Sequence, residues 1–178
     1  MQLRKLTKIA FTILIFANLI GCEAINDTLS TVNSTLGSVN SVLSGTSVSS
    51  QAQSSVNNAL ARAKMNKEAL ALFNDAKPTI NKMLSLSACL TSSESRQFRI
   101  YSDPDHLFSG LMPQSFMHYH KSGCVDVTRI TAFKKIANNT LQFTVYYTSP
   151  QSGGTVTKTY QAIKQPDGEW LFNFDIIA

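Results

Sequence analysis

Apolar and polar residues alternate most cleanly in the last third of the chain. Leu141, Phe143, Val145 and Tyr147 interleave with Gln142, Thr144, Tyr146 and Thr148, which predicts a strand with one apolar face. Thr155 to Lys164 alternates again, with β-branched residues throughout. Trp170, Phe172, Phe174 and Ile176 form one face of a last strand, opposite Leu171, Asn173 and Asp175. Val125 to Ile136 predicts a strand ahead of these three. Ala137-Asn138-Asn139, Pro150 to Gly154 and Gln165-Pro166-Asp167-Gly168 are turns, the first because Asn tolerates positive φ. Four strands on short turns predict an antiparallel meander.

Upstream the period lengthens. Val56, Leu60, Ala63, Leu70 and Phe73 recur near helical spacing, with Arg62, Lys64, Lys67 and Glu68 largely on the other side. Asn57, Asn58 or an earlier Ser can cap this helix. Pro78 ends or kinks it near Ala76 and can open a second helix carrying Ile80, Met83, Leu84 and Ala88 to Cys89. Thr91 to Arg99 is polar and reads as a connection. Asp103-Pro104-Asp105 signals a short helix through Leu111, and Gln114 to Lys121 adds a turn or a third helix before Ser122-Gly123. The helices must cover the apolar face of the meander. The expected fold is therefore α+β, with N-terminal helices packed on a four-stranded antiparallel meander.

The start of the chain has a different pattern. Arg4, Lys5 and Lys8 precede an uncharged, mostly apolar run from Ile9 to Ala17, too short for a spanning helix of about 20 residues. The run closes on Leu19-Ile20-Gly21-Cys22, which resembles the bacterial lipobox. The resemblance implies a signal peptide over residues 1–21, cleavage before Cys22 and lipidation of its thiol. Two or three acyl chains hold a protein durably, at about 0.8 kcal/mol per buried CH₂, so the membrane is the expected partner through this anchor. Glu23 stands where an Asp commonly marks inner-membrane retention. The expected location is thus the outer membrane, facing the periplasm.

Residues 22–55 read as a tether. No charge occurs between Thr28 and Ala61, where Ser, Thr and Asn dominate. Ile25, Leu29, Val32, Leu36, Val39 and Leu43 still step by 4 and 3 in turn. Two readings stand for residues 25–43. One is a short coiled coil that makes a homo-oligomer or lies on a partner; the other is a flexible spacer, since Ser, Thr, Asn and Gly are poor helix formers. Ser44 to Ser55 reads as linker, and the domain proper as residues 56–178.

Charge adds little. Losing residues 1–21 removes Arg4, Lys5 and Lys8 and no carboxylate, so formal net charge falls from +5 to +2. No basic stripe interleaved with aromatics suggests nucleic acid. Cys89 and Cys124 remain after Cys22 is used. In an oxidising compartment they can close a loop of about 35 residues, adding about 3 to 4 kcal/mol in the chain-entropy model. Two buried thiols are the other reading. A metal site is not expected, because no Cys or His pair has zinc-ligand spacing.

The strand bearing Tyr160, the Asp167-Gly168 turn and Gly168-Glu169-Trp170-Leu171-Phe172-Asn173-Phe174, set after helices, resemble the cystatin-like cone of the nuclear-transport-factor-two-like superfamily. The resemblance covers roughly residues 56–178 and implies a fold, not an activity. If such a cone is open, Tyr147, Tyr160, Trp170 and Phe172 are the residues to line its pocket. Other candidates are thin. His118 and His120 share a face only on a strand. His106 beside Asp103 and Asp105 reads equally as a surface histidine near a helix cap. Alternation puts Asp126 and Arg129 on opposite faces. There is no Gly-rich phosphate loop, no serine-nucleophile elbow and no Cys–His pair free of the expected bridge. The sequence points to a non-enzymatic binding or accessory factor for an envelope protein partner, without cofactor. A small-ligand or catalytic cone and an oligomeric spacer are the alternatives.

Overall fold

The computed structural model describes residues 49–105 and 112–176, with the side chains of 92, 95, 98 and 174–176 excluded. Cys22, the 25–43 seam and His106 lie outside the described residues. Helix α1 spans Ser50–Ala61 and helix α2 spans Lys67–Ser87. Two 3-10 helices follow at Ser92–Tyr101 and Pro113–Phe116. Strands β1 (Asp126–Ala137), β2 (Thr140–Thr148), β3 (Thr155–Lys164) and β4 (Trp170–Ile176) pair in sequence order as one antiparallel sheet. The α+β meander is as the periodicity predicts.

The helices depart from prediction in three places. Helix α1 starts inside the stretch read as linker, at Ser50. Its Ser and Asn residues favour helix weakly. Ala52, Val56, Ala59 and Leu60 are nevertheless buried, and that packing overrides propensity. The chain then breaks at residues 62–66, where Asn66 caps α2 by accepting from the Ala69 N–H at 2.9 Å. Helix α2 finally runs straight through Pro78 as one element of 21 residues. Pro78 and Asn74 are both exposed, so the carbonyl that the missing N–H leaves free can be met by water. The polar stretch after Thr91 is not a plain connection either. Thr91 and Glu94 form a capping box, with the Thr91 N–H donating to Glu94 Oε2 at 2.9 Å.

Beneath the helices lies the inner face of the sheet: Val127, Ile130 and Phe133 of β1, Leu141, Phe143, Val145 and Tyr147 of β2, Tyr160 and Ala162 of β3, Trp170 and Phe172 of β4. Phe73 of α2 meets Phe133 edge-on at 5.1 Å, and Phe133 stacks on Phe143 at 5.5 Å. Helices α1 and α2 are joined to each other through Asn81 Nδ2, which donates to Asn57 Oδ1.

Strand β1 is bulged. Val127 pairs with Tyr147 but Arg129 with Tyr146, so Thr128 is an extra residue. A second shift lies between Thr131 and Lys134, where Ala132 takes φ 53°. Each bulge delays the alternation by one residue, so the buried positions 127, 130 and 133 recur every three. The β1–β2 turn also differs from expectation. Neither Asn138 nor Asn139 has positive φ. Asn139 instead clamps the end of β3: its carbonyl accepts from the Lys164 N–H at 2.8 Å and its Nδ2 donates to the Lys164 carbonyl at 3.1 Å.

The helix layer is tied to the sheet at one corner. Cys89 and Cys124 form a disulfide with Cα atoms 4.1 Å apart. Beside it the Ala88 carbonyl accepts from the Val125 N–H and from Gln114 Nε2, both at 2.8 Å. The end of α2 and the start of β1 therefore lie side by side, as the chain order requires.

Candidate functional site

Tyr147, Tyr160, Trp170 and Phe172 are all packed into the core. Two of them belong to a buried hydroxyl chain. The Ser87 hydroxyl donates to the Leu84 carbonyl at 2.9 Å, which uses its single hydrogen. Tyr147 must then donate to Ser87, at 2.9 Å, and Tyr160 to Tyr147, at 2.8 Å. Burial pushes both phenols up from 10.0, Tyr160 further through its neighbour Tyr147. The chain holds α2 on the sheet and keeps both tyrosines neutral. The Trp170 indole N–H is buried without a partner among the described residues.

The paired histidines are separated. His118 lies edge-on to Tyr119, whose φ is 62°, while His120 Nδ1 meets Ser149 Oγ at 2.9 Å. Among the described residues no group of His, Cys, Asp and Glu is arranged to hold a metal. No described helix is long and apolar enough to cross a membrane.

Asp126 and Arg129 are corrected by the first bulge. Asp126 pairs with Thr148 and Arg129 with Tyr146, so both lie on the outer face rather than on opposite faces. They do not bond each other. Asp126 accepts from Gln51 Nε2 at 3.2 Å, and the Arg129 guanidinium lies 3.9 Å above the centre of the Tyr146 ring.

The same bulge shapes a cleft between α1 and β1. It has a volume of about 510 Å³ and is lined by Ala59, Arg62, Lys64 and residues 128–131. Buried Ala59 and Ile130 form an apolar floor, and Arg62, Lys64 and Arg129 stand exposed around it. A shallower hollow of about 580 Å³ continues along α1, sharing Arg62 and Thr128 and adding Gln51, Ser54, Asn58 and Asp126. Local bonds fix the walls. Ser55 Oγ accepts from the Val127 N–H at 3.1 Å and holds α1 against the strand. Arg62, at the C-cap of α1, donates through Nε to the Asn58 carbonyl at 3.1 Å, which also suits the negative end of the helix dipole. Thr128 Oγ1 donates to the Tyr146 carbonyl, whereas the Thr131 hydroxyl has no hydrogen bond among the described residues. None of the three cations has a carboxylate partner among the described residues.

This cleft joins α1 residues from a Ser-rich stretch to the bulged part of a strand. The bulge has no sequence signal, and Lys64 and Arg62 read simply as a solvated helix face. The chain matches no family model, no curated protein and no solved structure.

Proposed function

We propose that the chain is a lipid-anchored protein of the bacterial envelope, held at the outer membrane through Cys22 and acting by binding, as an accessory factor, through its helix-plus-meander domain. One observation carries this reading: a basic n-region, an uncharged run and Leu19-Ile20-Gly21-Cys22 in that order. The Cys89–Cys124 pairing supports it, because such bridges persist in oxidising compartments. The bulged first strand supports the cystatin-like cone as the finer description of the domain, because bulges bend a strand.

The test is fractionation with mass analysis of the purified protein. The wild type is expected in the membrane fraction with an acylated residue 22 at its N-terminus. Cys22→Ser is expected in the soluble periplasmic fraction. A wild type without acyl mass, or a variant that still fractionates with membranes, would overturn the reading.

A further inference from the structure

We propose that the cleft between α1 and β1 binds a small organic anion. A phosphate or carboxylate sits among Lys64, Arg129 and the free N–H groups of Arg62, and an apolar body rests on Ala59 and Ile130. The inference does not depend on the lipid anchor, and either can fail without the other.

Three observations meet here. The first is charge. Arg62, Lys64 and Arg129 border one recess with no carboxylate to neutralise them among the described residues. A concave wall of one sign focuses field and concentrates counter-ions. The carboxylate of Asp126 lines the adjoining hollow, where it accepts from Gln51 Nε2. The second is preorganisation. Stacking on Tyr146 restricts the Arg129 guanidinium, and the bond to Asn58 restricts Arg62. Little side-chain freedom remains to be lost when an anion arrives, and Arg presents paired donors that match phosphate and carboxylate oxygens. The Thr131 hydroxyl adds a donor with no hydrogen bond of its own among the described residues.

The third observation is the floor. Ala59 and Ile130 are buried beneath charged rims, and the aliphatic stems of Arg and Lys extend that apolar surface upward. A bare inorganic ion would leave it wet. A volume of about 510 Å³ lies within the range of small-molecule sites. The site therefore calls for a molecule with two parts, a charged end and an apolar end.

Isothermal titration calorimetry on the full chain, in a polyoxyethylene detergent, tests this with phenyl phosphate, benzoate, inorganic phosphate and phenol. Phenyl phosphate or benzoate should bind at least about tenfold more tightly than inorganic phosphate or phenol, and which of the two binds names the charged group. Lys64→Gln and Arg129→Gln should each weaken that binding by about tenfold or more, as loss of one charge-assisted hydrogen bond implies. Arg129→Lys should retain part of it. Lys121→Gln, which is not among the residues lining the cleft, should leave it unchanged. All variants should melt as the wild type does, so that lost binding is not lost folding. Binding of phenol as tight as that of the anions, absence of binding by both organic anions, or affinity unchanged in both Gln variants would overturn the proposal.

Discussion

Leu141, Phe143, Val145 and Tyr147 point into the core, while Gln142, Thr144, Tyr146 and Thr148, interleaved with them along β2, point away. The inner set is held by burial. The outer set is held by partners across the strands: Thr144 meets Thr159 at 2.9 Å, Thr148 meets Thr155 at 2.9 Å and Thr128 at 3.1 Å, and Gln161 donates to Gln142 at 3.2 Å. Buried area scales with size and is worth about 25 cal/mol per Å², whereas a cross-strand pair adds only about 0.2 to 1 kcal/mol. The two faces therefore do different work on the same backbone. The inner face supplies stability. The outer face tells one register from the next, because a one-residue slip would set hydroxyls against the helices and aromatics against water.

Substitutions on the two faces should differ in cost. Phe143→Ala should have the largest effect, a loss of about 3 to 5 kcal/mol in urea unfolding, since it empties a ring-sized space between Phe133 and Tyr160. A loss under about 1 kcal/mol would mean that the inner face is not packed as described. Tyr147→Phe removes only an oxygen but leaves Ser87 and Tyr160 without that partner. A cost of about 1 to 3 kcal/mol is expected. Adding Tyr160→Phe should cost less than the two single changes summed, because both act on one chain.

The same pair predicts an alkaline limit. A phenol is charged when it has lost its proton, and both folded phenols are raised above 10.0. The folded state then holds protons that the unfolded state has released. Their contribution is intact below about pH 10 and falls as pH rises through the window above it. The urea midpoint should decline there, and decline less steeply in the double Phe variant. At the other extreme, Thr144→Val on the outer face should stay within about 1 kcal/mol of the wild type, and the same unfolding curves will show it.

Strand β2 was legible in the sequence because nothing interrupts its alternation, whereas β3 was legible as a strand but shifts register against β4 between Thr159 and Gln161. Strand β1 was legible as a strand but not in its facing. Two extra residues, invisible to a period-two reading, bring Asp126 and Arg129 to one side and set the buried positions three apart. Asn66 before Lys67-Glu68-Ala69, and Thr91 three residues before Glu94, were capping signals in plain view. Helix α1 was legible from Val56, whose spacing to Leu60 is helical, but not in its first turn, where Ser and Gln dominate and helicity comes from packing. The cleft inherits both difficulties, because it exists only where that helix meets that bulge. The Cys89–Cys124 pairing, by contrast, followed from the count of cysteines, the expected compartment and chain order.

That pairing also turns residues 89–124 into a covalent ring. Both 3-10 helices lie within it, and the Ala88 and Val125 backbones are bonded just outside its clasp. A protease that cuts one peptide bond in the ring opens the circle without producing two molecules. The helical layer stays moored to the sheet, and separate fragments emerge only after reduction. The ring is also fastened to the sheet from inside, since the Asp103 N–H donates to the Phe172 carbonyl at 3.1 Å, so a nicked ring keeps a second hold on β4.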